Sequence, residues 1–468
     1  MTEESGSTQP KALRINLDAR KFGTFAEIGA GQEVVRWFFH AGKAASTIAK
    51  TISAYDMAIS DGLYGSARRY VSRQRLEAML DHEFSSLVES LDQTRGEHTA
   101  FFVFADTSAT QTHSQRPGGH TWTGVRFQTE PRGECSQIIL HCEMLDAVTV
   151  SQQEALGLVG VNLIYGAFYF SDNPTHLIAS LMDDLSRRRI EIDMIKFSGP
   201  AFTQVDNRLM SLQLVEQGLA DAVMFTADGE VVQPSEVLYD KPVTIERGSF
   251  RPVTNVTLEV LDRAVQQLQQ EFPQVQDRAV IMEMTLHNLM SEQAIDHADF
   301  LARVDILGAL GKIVMISNYT RFDKVTGYLR QYTQNWIGMA MGIPTLREIF
   351  EEKYYTDLEG GILEGLGRLF QGRVKLFIYP TKQSDTEEPT TSDELDVKPQ
   401  LRHLYKYLVE NGYIEAIREF DPGELHVVPG SVLADIQSGD PSWEKLVPPQ
   451  AAALIKQKGL FGYRAQDQ

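Results

Sequence analysis

Cysteine, tryptophan and positive charge are all scarce in this chain of 468 residues, and each shortage narrows what it can be. The two cysteines, Cys135 and Cys142, fall on one expected strand, which argues against a disulfide framework and leaves no thiolate cluster for zinc. No set of residues stands at metal-ligand spacing, so no metal site is expected. Lys and Arg number 44 against 63 Asp and Glu, a formal net charge of −19. That balance excludes a general basic surface for DNA, RNA or an anionic membrane, but not a local pocket for one phosphorylated ligand. Long apolar runs are also missing. The longest, Ala155 to Phe170, contains Asn162, falls short of the ~20 residues that span a bilayer, and reads as buried core. No charged-then-apolar leader opens the chain. Met1 to Pro10 is polar and reads as a disordered tail, and a cytoplasmic protein is expected.

An apolar fraction of 43% and a charged fraction of 23% are ordinary for a globular protein, and the length calls for two or three domains. Short apolar segments rich in β-branched and aromatic residues recur at Ala100 to Ala105, Gln137 to His141, Ile190 to Phe197, Ala222 to Phe225, Ala279 to Met284, Lys312 to Ser317 and Val374 to Tyr379. Helical patterns separate many of them, among them Ser72 to Asp92, Asn255 to Gln270 and His297 to Leu310. This alternation predicts an α/β fold, with largely parallel Rossmann-like sheets and flanking helices. The expected organisation is a tail over 1–10, an N-terminal α/β domain over 11–172 and a Rossmann-like domain over 173–380. An acidic loop or linker over 381–398 and a small appended unit over 399–468 complete it.

The most informative stretch is Gly248-Ser249-Phe250-Arg251-Pro252-Val253-Thr254-Asn255-Val256-Thr257-Leu258, between a strand and a helix. It resembles the G-S-F-x-P-x-T-x-x-H-L turn of nicotinate/nicotinamide mononucleotide adenylyltransferases and related nucleotidylyltransferases. A later segment, Ile316-Ser317-Asn318-Tyr319-Thr320-Arg321, resembles their I-S-S-T-x-x-R element in part, with its arginine one place early. The resemblance covers about Val243 to Arg330. As a whole the chain resembles an uncharacterised family of bacterial proteins.

The resemblance implies a nucleotide or small phosphorylated metabolite as partner, and ATP with Mg²⁺ as cofactor. It assigns Gly248, Ser249, Phe250, Arg251 and Ser317 to cofactor binding, and Thr254, Thr257 and Arg321 to catalysis. Adenylyl transfer needs donors held against phosphate oxygens, which a glycine turn and a helix N-terminus supply. Thr257 stands where the family places histidine and donates only one neutral hydrogen bond. Losing such a donor costs ~10²–10³ in rate, so binding is expected ahead of transfer.

Two other readings compete with this one. A degenerate nucleotide fold can serve as a non-enzymatic scaffold, a homo-oligomer or partner-binding protein. Alternatively, Glu27-Ile28-Gly29-Ala30-Gly31 resembles the glycine turn of S-adenosylmethionine-dependent methyltransferases. Lys43 to Tyr64 reads as a helix-forming segment. His113, Ser114, Arg116, Gly118, Gly119 and His120 read as a polar loop. The acidic stretch from Ile349 to Gly361 reads as an exposed helix end.

Overall fold

A computed structural model describes residues 7–110, 118–273, 277–291, 294–382, 388–423, 425, 427 and 429–464. The chain divides into two units, Met1–Asp221 and Ala222–Gln468, each built on its own sheet. The α/β class expected from the sequence is the class observed.

In the first unit, β1 (Lys21–Gly29), β2 (Ile48–Ile52), β3 (Ala100–Ala109), β4 (Gly119–Gln128), β5 (Cys135–Met144) and β6 (Ile190–Ser198) form a sheet of order β2-β1-β3-β4-β5-β6. The β1 strand is parallel to β2 and β3, while β3 through β6 run antiparallel. Phe25 on β1 lies fully buried, its ring 5.0 Å from Phe38 and 5.7 Å from Phe102. The apolar run from Ala155 lies within helix Thr149–Tyr169 and is core, as expected. Its polar interruption is satisfied: Asn162 accepts from Lys11 Nζ at 2.7 Å and donates to the Leu181 carbonyl at 3.1 Å.

The domain boundary differs from the sequence reading. Residues 173–221 belong to the first unit, because β6 hydrogen-bonds to β5 along most of its length. Lys43 to Tyr64 is not one helix but strand β2 followed by helix Met57–Tyr64. As an edge strand with three exposed residues in the middle, β2 lacks the apolar signature of a central strand. Of the expected tail, Thr8–Pro10 open the helix Thr8–Asn16, and residues 1–6 lie outside the described residues. His113, Ser114 and Arg116 also lie outside them, whereas Gly119 and His120 begin strand β4.

The second unit holds β7 (Ala222–Phe225), β8 (Val231–Val232), β9 (Val243–Arg247), β10 (Ala279–Thr285), a small pair β11 (Met290–Ser291) and β12 (Ala294–Ile295), β13 (Ile313–Ser317), β14 (Ile337–Gly342), β15 (Val374–Tyr379) and β16 (Ile414–Ala416). Its main sheet has the order β16-β15-β14-β9-β10-β13-β7-β8. The six strands from β16 to β13 are parallel, and β7 and β8 extend the sheet antiparallel. Counted from β9 in chain order, the six parallel strands have the doubly wound arrangement 6-5-4-1-2-3, with its topological switch between β9 and β14.

The expected linker and appended unit are integral to this second unit. Leu395 and Leu401 are buried in its core, and β16 adds a strand to its sheet. An acidic composition disguised these anchors, because so few apolar residues mark them. Residues 383–387 lie outside the described residues.

In the first unit, a buried carboxylate pair makes stability depend on pH. Burial lifts the Glu27 carboxyl from its ordinary 4.5 to about 7, while N–H donors from Val34 and Val35 pull it back toward ionisation. Burial, reinforced by the neighbouring Glu27, also raises Asp106 well above the carboxylate range. A raised folded-state pKa means that the folded chain holds a proton the unfolded chain has released. Its contribution is complete below about 4.5 and is lost as pH rises toward about 7. The urea midpoint of the first unit should therefore fall across that window, and Glu27→Gln should flatten the fall; an unchanged slope would contradict the assignment.

Candidate functional site

The turn after β9 is built by local chemistry. Thr254 has extended backbone and caps the helix Asn255–Glu271, its Oγ1 accepting the Thr257 N–H at 3.3 Å. Thr257 returns the contact, its Oγ1 accepting the Thr254 N–H at 3.5 Å, so the two threonines form a reciprocal capping box. Val260, Leu261, Ala264 and Leu268 then face the core at helical spacing. The two sequence-assigned catalytic threonines are thus together and both buried, and their hydroxyl groups lie 2.9 Å apart.

Gly248 is required by packing. A Cβ there would stand 2.7 Å from the Phe250 ring, which folds back over it from a left-handed backbone (φ 49°). The Gly248 N–H donates to the Glu283 carbonyl at 3.0 Å. Farther along, the Ser249 carbonyl accepts from Arg303 at 3.0 Å, and Arg251 Nε donates to Asp299 at 2.6 Å. Asp299 also pairs with Arg303, so the helix His297–Ala309 grips the turn through two arginines and one carboxylate. At the helix start, the Asn255 N–H donates to the Leu446 carbonyl at 2.9 Å and its Nδ2 to the Lys445 carbonyl at 2.8 Å. The first turn of this helix, where a phosphate would accept hydrogen bonds, thus has protein acceptors on Asn255 and Thr257.

Beneath the turn lies a polar cluster with Glu283 at its centre. This carboxylate on β10 is fully buried and receives Arg247 Nε at 3.0 Å, Arg247 Nη2 at 2.8 Å and the Ser317 hydroxyl at 2.6 Å. Arg247 also donates to the Thr320 carbonyl at 3.3 Å and lies 4.4 Å from the Phe322 ring centre. The carboxyl ends of β9, β10 and β13 are tied together in this way. Of the sequence-assigned residues, Gly248 and Ser317 meet here through Glu283. Arg321 engages a separate set, Asp323, Asp357 and the Tyr354 carbonyl. It follows β13, two strands from β9 and ~10 Å across the sheet. Other carboxylates of the acidic stretch are paired as well, Glu351 and Glu352 with Lys398.

Sequence reasoning missed Arg247 and Glu283. Their signal was present: each is a charged residue at or near the end of an apolar strand, where burial demands an opposite partner. The glycine turn after β1 is similarly engaged by protein. Both Glu27 oxygens accept N–H groups at the start of helix Val34–Ala41, and a Cβ on Gly31 would meet the Asp106 carboxylate at 2.2 Å. This arrangement gives no support to the methyltransferase reading.

At the opposite, amino edge of the second sheet lies a cavity of about 640 Å³, lined among others by Asp240, Arg330, Asn335, Arg368 and Arg373. Asp240, Asn335 and Arg373 come just before β9, β14 and β15, so this cavity is at the other end of those strands from Gly248.

Glu283→Ala should cost about 3 kcal/mol by leaving the half-buried Arg247 charge and the buried Ser317 hydroxyl without their carboxylate. Thr254→Ala should cost about 1 kcal/mol through loss of the helix cap. Urea unfolding followed by circular dichroism measures both; a Glu283→Ala change no larger than that of Thr254→Ala would refute the central role of the cluster.

No protein-family model and no curated protein matches this sequence. Among solved structures, the competence/damage-inducible protein CihA from Agrobacterium tumefaciens is similar over 35% of this chain and 97% of its own, with 16% identity and a TM-score of 0.26. A competence-damaged protein (CinA) superfamily protein from Enterobacter cloacae matches over 36% of this chain and 94% of its own, with 10% identity and a TM-score of 0.27. The Plasmodium falciparum nicotinic acid mononucleotide adenylyltransferase complexed with APC matches over 48% of this chain and 98% of its own, with 10% identity and a TM-score of 0.30. Likenesses this partial leave the chain's activity to be argued from its own residues. Among the described residues, no helix is long and apolar enough to cross a membrane.

Proposed function

We propose that the second unit binds a nucleotide or phosphorylated metabolite at the carboxyl edge of its sheet, and that it does so without efficient adenylyl transfer. The observation that carries this reading is the reversal of strand order between β9 and β14. Sheets of this kind leave a crevice beyond the strand ends at such a switch, because the connections on either side depart to opposite faces. A glycine stands at each side of it, Gly248 just after β9 and Gly342 at the end of β14. Gly342 has the space that Gly248 lacks: a Cβ there would meet only Pro344, at 3.5 Å. Backbone can therefore approach a ligand from the β14 side.

Transfer chemistry is disfavoured by the fate of the donor groups. The Thr254 and Thr257 hydroxyls cap a helix, and Arg321 already serves two carboxylates. To stabilise a reacting phosphate these groups would have to abandon partners, and reorganisation at the moment of reaction is what an efficient site avoids.

Calorimetry with ATP, with and without Mg²⁺, and with nicotinate mononucleotide tests the proposal. Binding of at least one ligand is expected, lost in Gly342→Val at an unchanged melting temperature, since a side chain there fits the fold but fills the crevice. Absence of binding by the wild type, or binding that survives Gly342→Val, would overturn it.

A further inference from the structure

We propose that His120, His141 and Glu143, oriented by Asp193, bind a divalent transition metal of the zinc class on the antiparallel half of the first sheet. The three strands bring these residues onto one face. Across the β4–β5 pair, His120 stands opposite Glu143 and Trp122 opposite His141. Residues two apart on a strand share a face, so both pairs point the same way. On the β5–β6 side the register slips between His141 and Cys142: His141 pairs with Met194, Cys142 with Ile192, and Asp193 is the extra residue. A bulge of this kind re-aims a side chain, and here Asp193 is turned against His141.

Asp193 Oδ1 lies 2.6 Å from His141 Nδ1, and both residues are almost wholly buried. With its proton on Nδ1 and donated to that carboxylate, His141 presents the Nε2 lone pair on the other side of the ring. That Nε2 lies 3.2 Å from His120 Nδ1. Two nitrogens bound to one tetrahedral zinc at ~2.0–2.1 Å are ~3.3 Å apart, so the separation already suits a shared ion. His141, Glu143 and Asp193 offer ligand atoms all within 4.8 Å of one another, and Glu143 stands opposite His120 across the β4–β5 pair. The Trp122 ring packs 4.9 Å from the His141 ring and walls one side of the cluster.

Two imidazoles and one carboxylate suit zinc or a neighbouring transition metal better than Mg²⁺ or Ca²⁺, which favour oxygen ligands throughout. Three protein ligands leave a fourth position for water or another oxygen ligand. Asp193 is a positioning residue in this arrangement, holding the tautomer and ring angle of His141. Its contribution is therefore expected in metal affinity more than in fold.

The test uses the full chain, stripped with chelator and then titrated with Zn²⁺ and with Co²⁺. One ion per chain is expected, and the Co²⁺ form should show the intense visible bands of a tetrahedral site. His120→Ala and Glu143→Gln should each weaken binding at least ~10-fold, and Asp193→Asn by ~10–100-fold with altered Co²⁺ bands. His120 is only partly buried at the start of its strand, so His120→Ala can be read even if Asp193→Asn fails to fold. Failure of the wild type to bind either ion, or unchanged stoichiometry and affinity in the His120→Ala/Glu143→Gln double variant, would overturn the proposal.

Discussion

The second unit depends on one buried carboxylate. Glu283 sits in the middle of a parallel sheet where an unpaired charge would cost several kcal/mol, and it is tolerable because Arg247 meets both of its oxygens and Ser317 adds a hydroxyl to one of them. Those three residues come from three adjacent strands, so the ion pair also fixes where those strands end. The Gly248 turn begins at that point and donates its first N–H to the carbonyl of the same Glu283. Beyond that anchor the turn is held by Arg303 and Asp299, and the helix from Asn255 by its threonine cap.

This arrangement changes the meaning of the glycine turn. A sequence motif records which residues occur in a row but not which partners their polar atoms find. In this chain the partners are internal: a carbonyl for Gly248, a second threonine for Thr254, a carboxylate for Arg251 and two for Arg321. The turn keeps the residue order of the motif it resembles while its donors serve the fold. Across the switch, a Cβ added at Gly342 would meet only Pro344, at 3.5 Å.

The sequence made the architecture legible wherever strands are covered on both faces. Ala279 to Met284 and Val374 to Tyr379 announced themselves as unbroken apolar runs, because a parallel strand needs apolar residues in both directions. Strand β2 gave no such signal, since its middle residues face solvent, and β4 was read only as a loop at its start because Gly118, Gly119 and His120 are polar or small. The domain boundary was missed for a related reason: β6 looks like any apolar strand, and only its hydrogen bonds to β5 assign it to the first unit. Site chemistry was less legible still. The meeting of His141 with Asp193 depends on a one-residue slip in register, and Asn255 finds its acceptors far along the chain.

That last contact has a consequence for the order of assembly. Asn255 and Lys445 are separated by 190 positions. At the ~5–20 residues per second of synthesis, about 10–40 s pass between the making of this helix start and the arrival of the carbonyls that accept from it. The first turn of the helix must spend that interval hydrated, held by its threonine cap alone. A nascent chain therefore has a stage, absent from the finished protein, in which the backbone N–H and the side-chain amide of Asn255 are left to water.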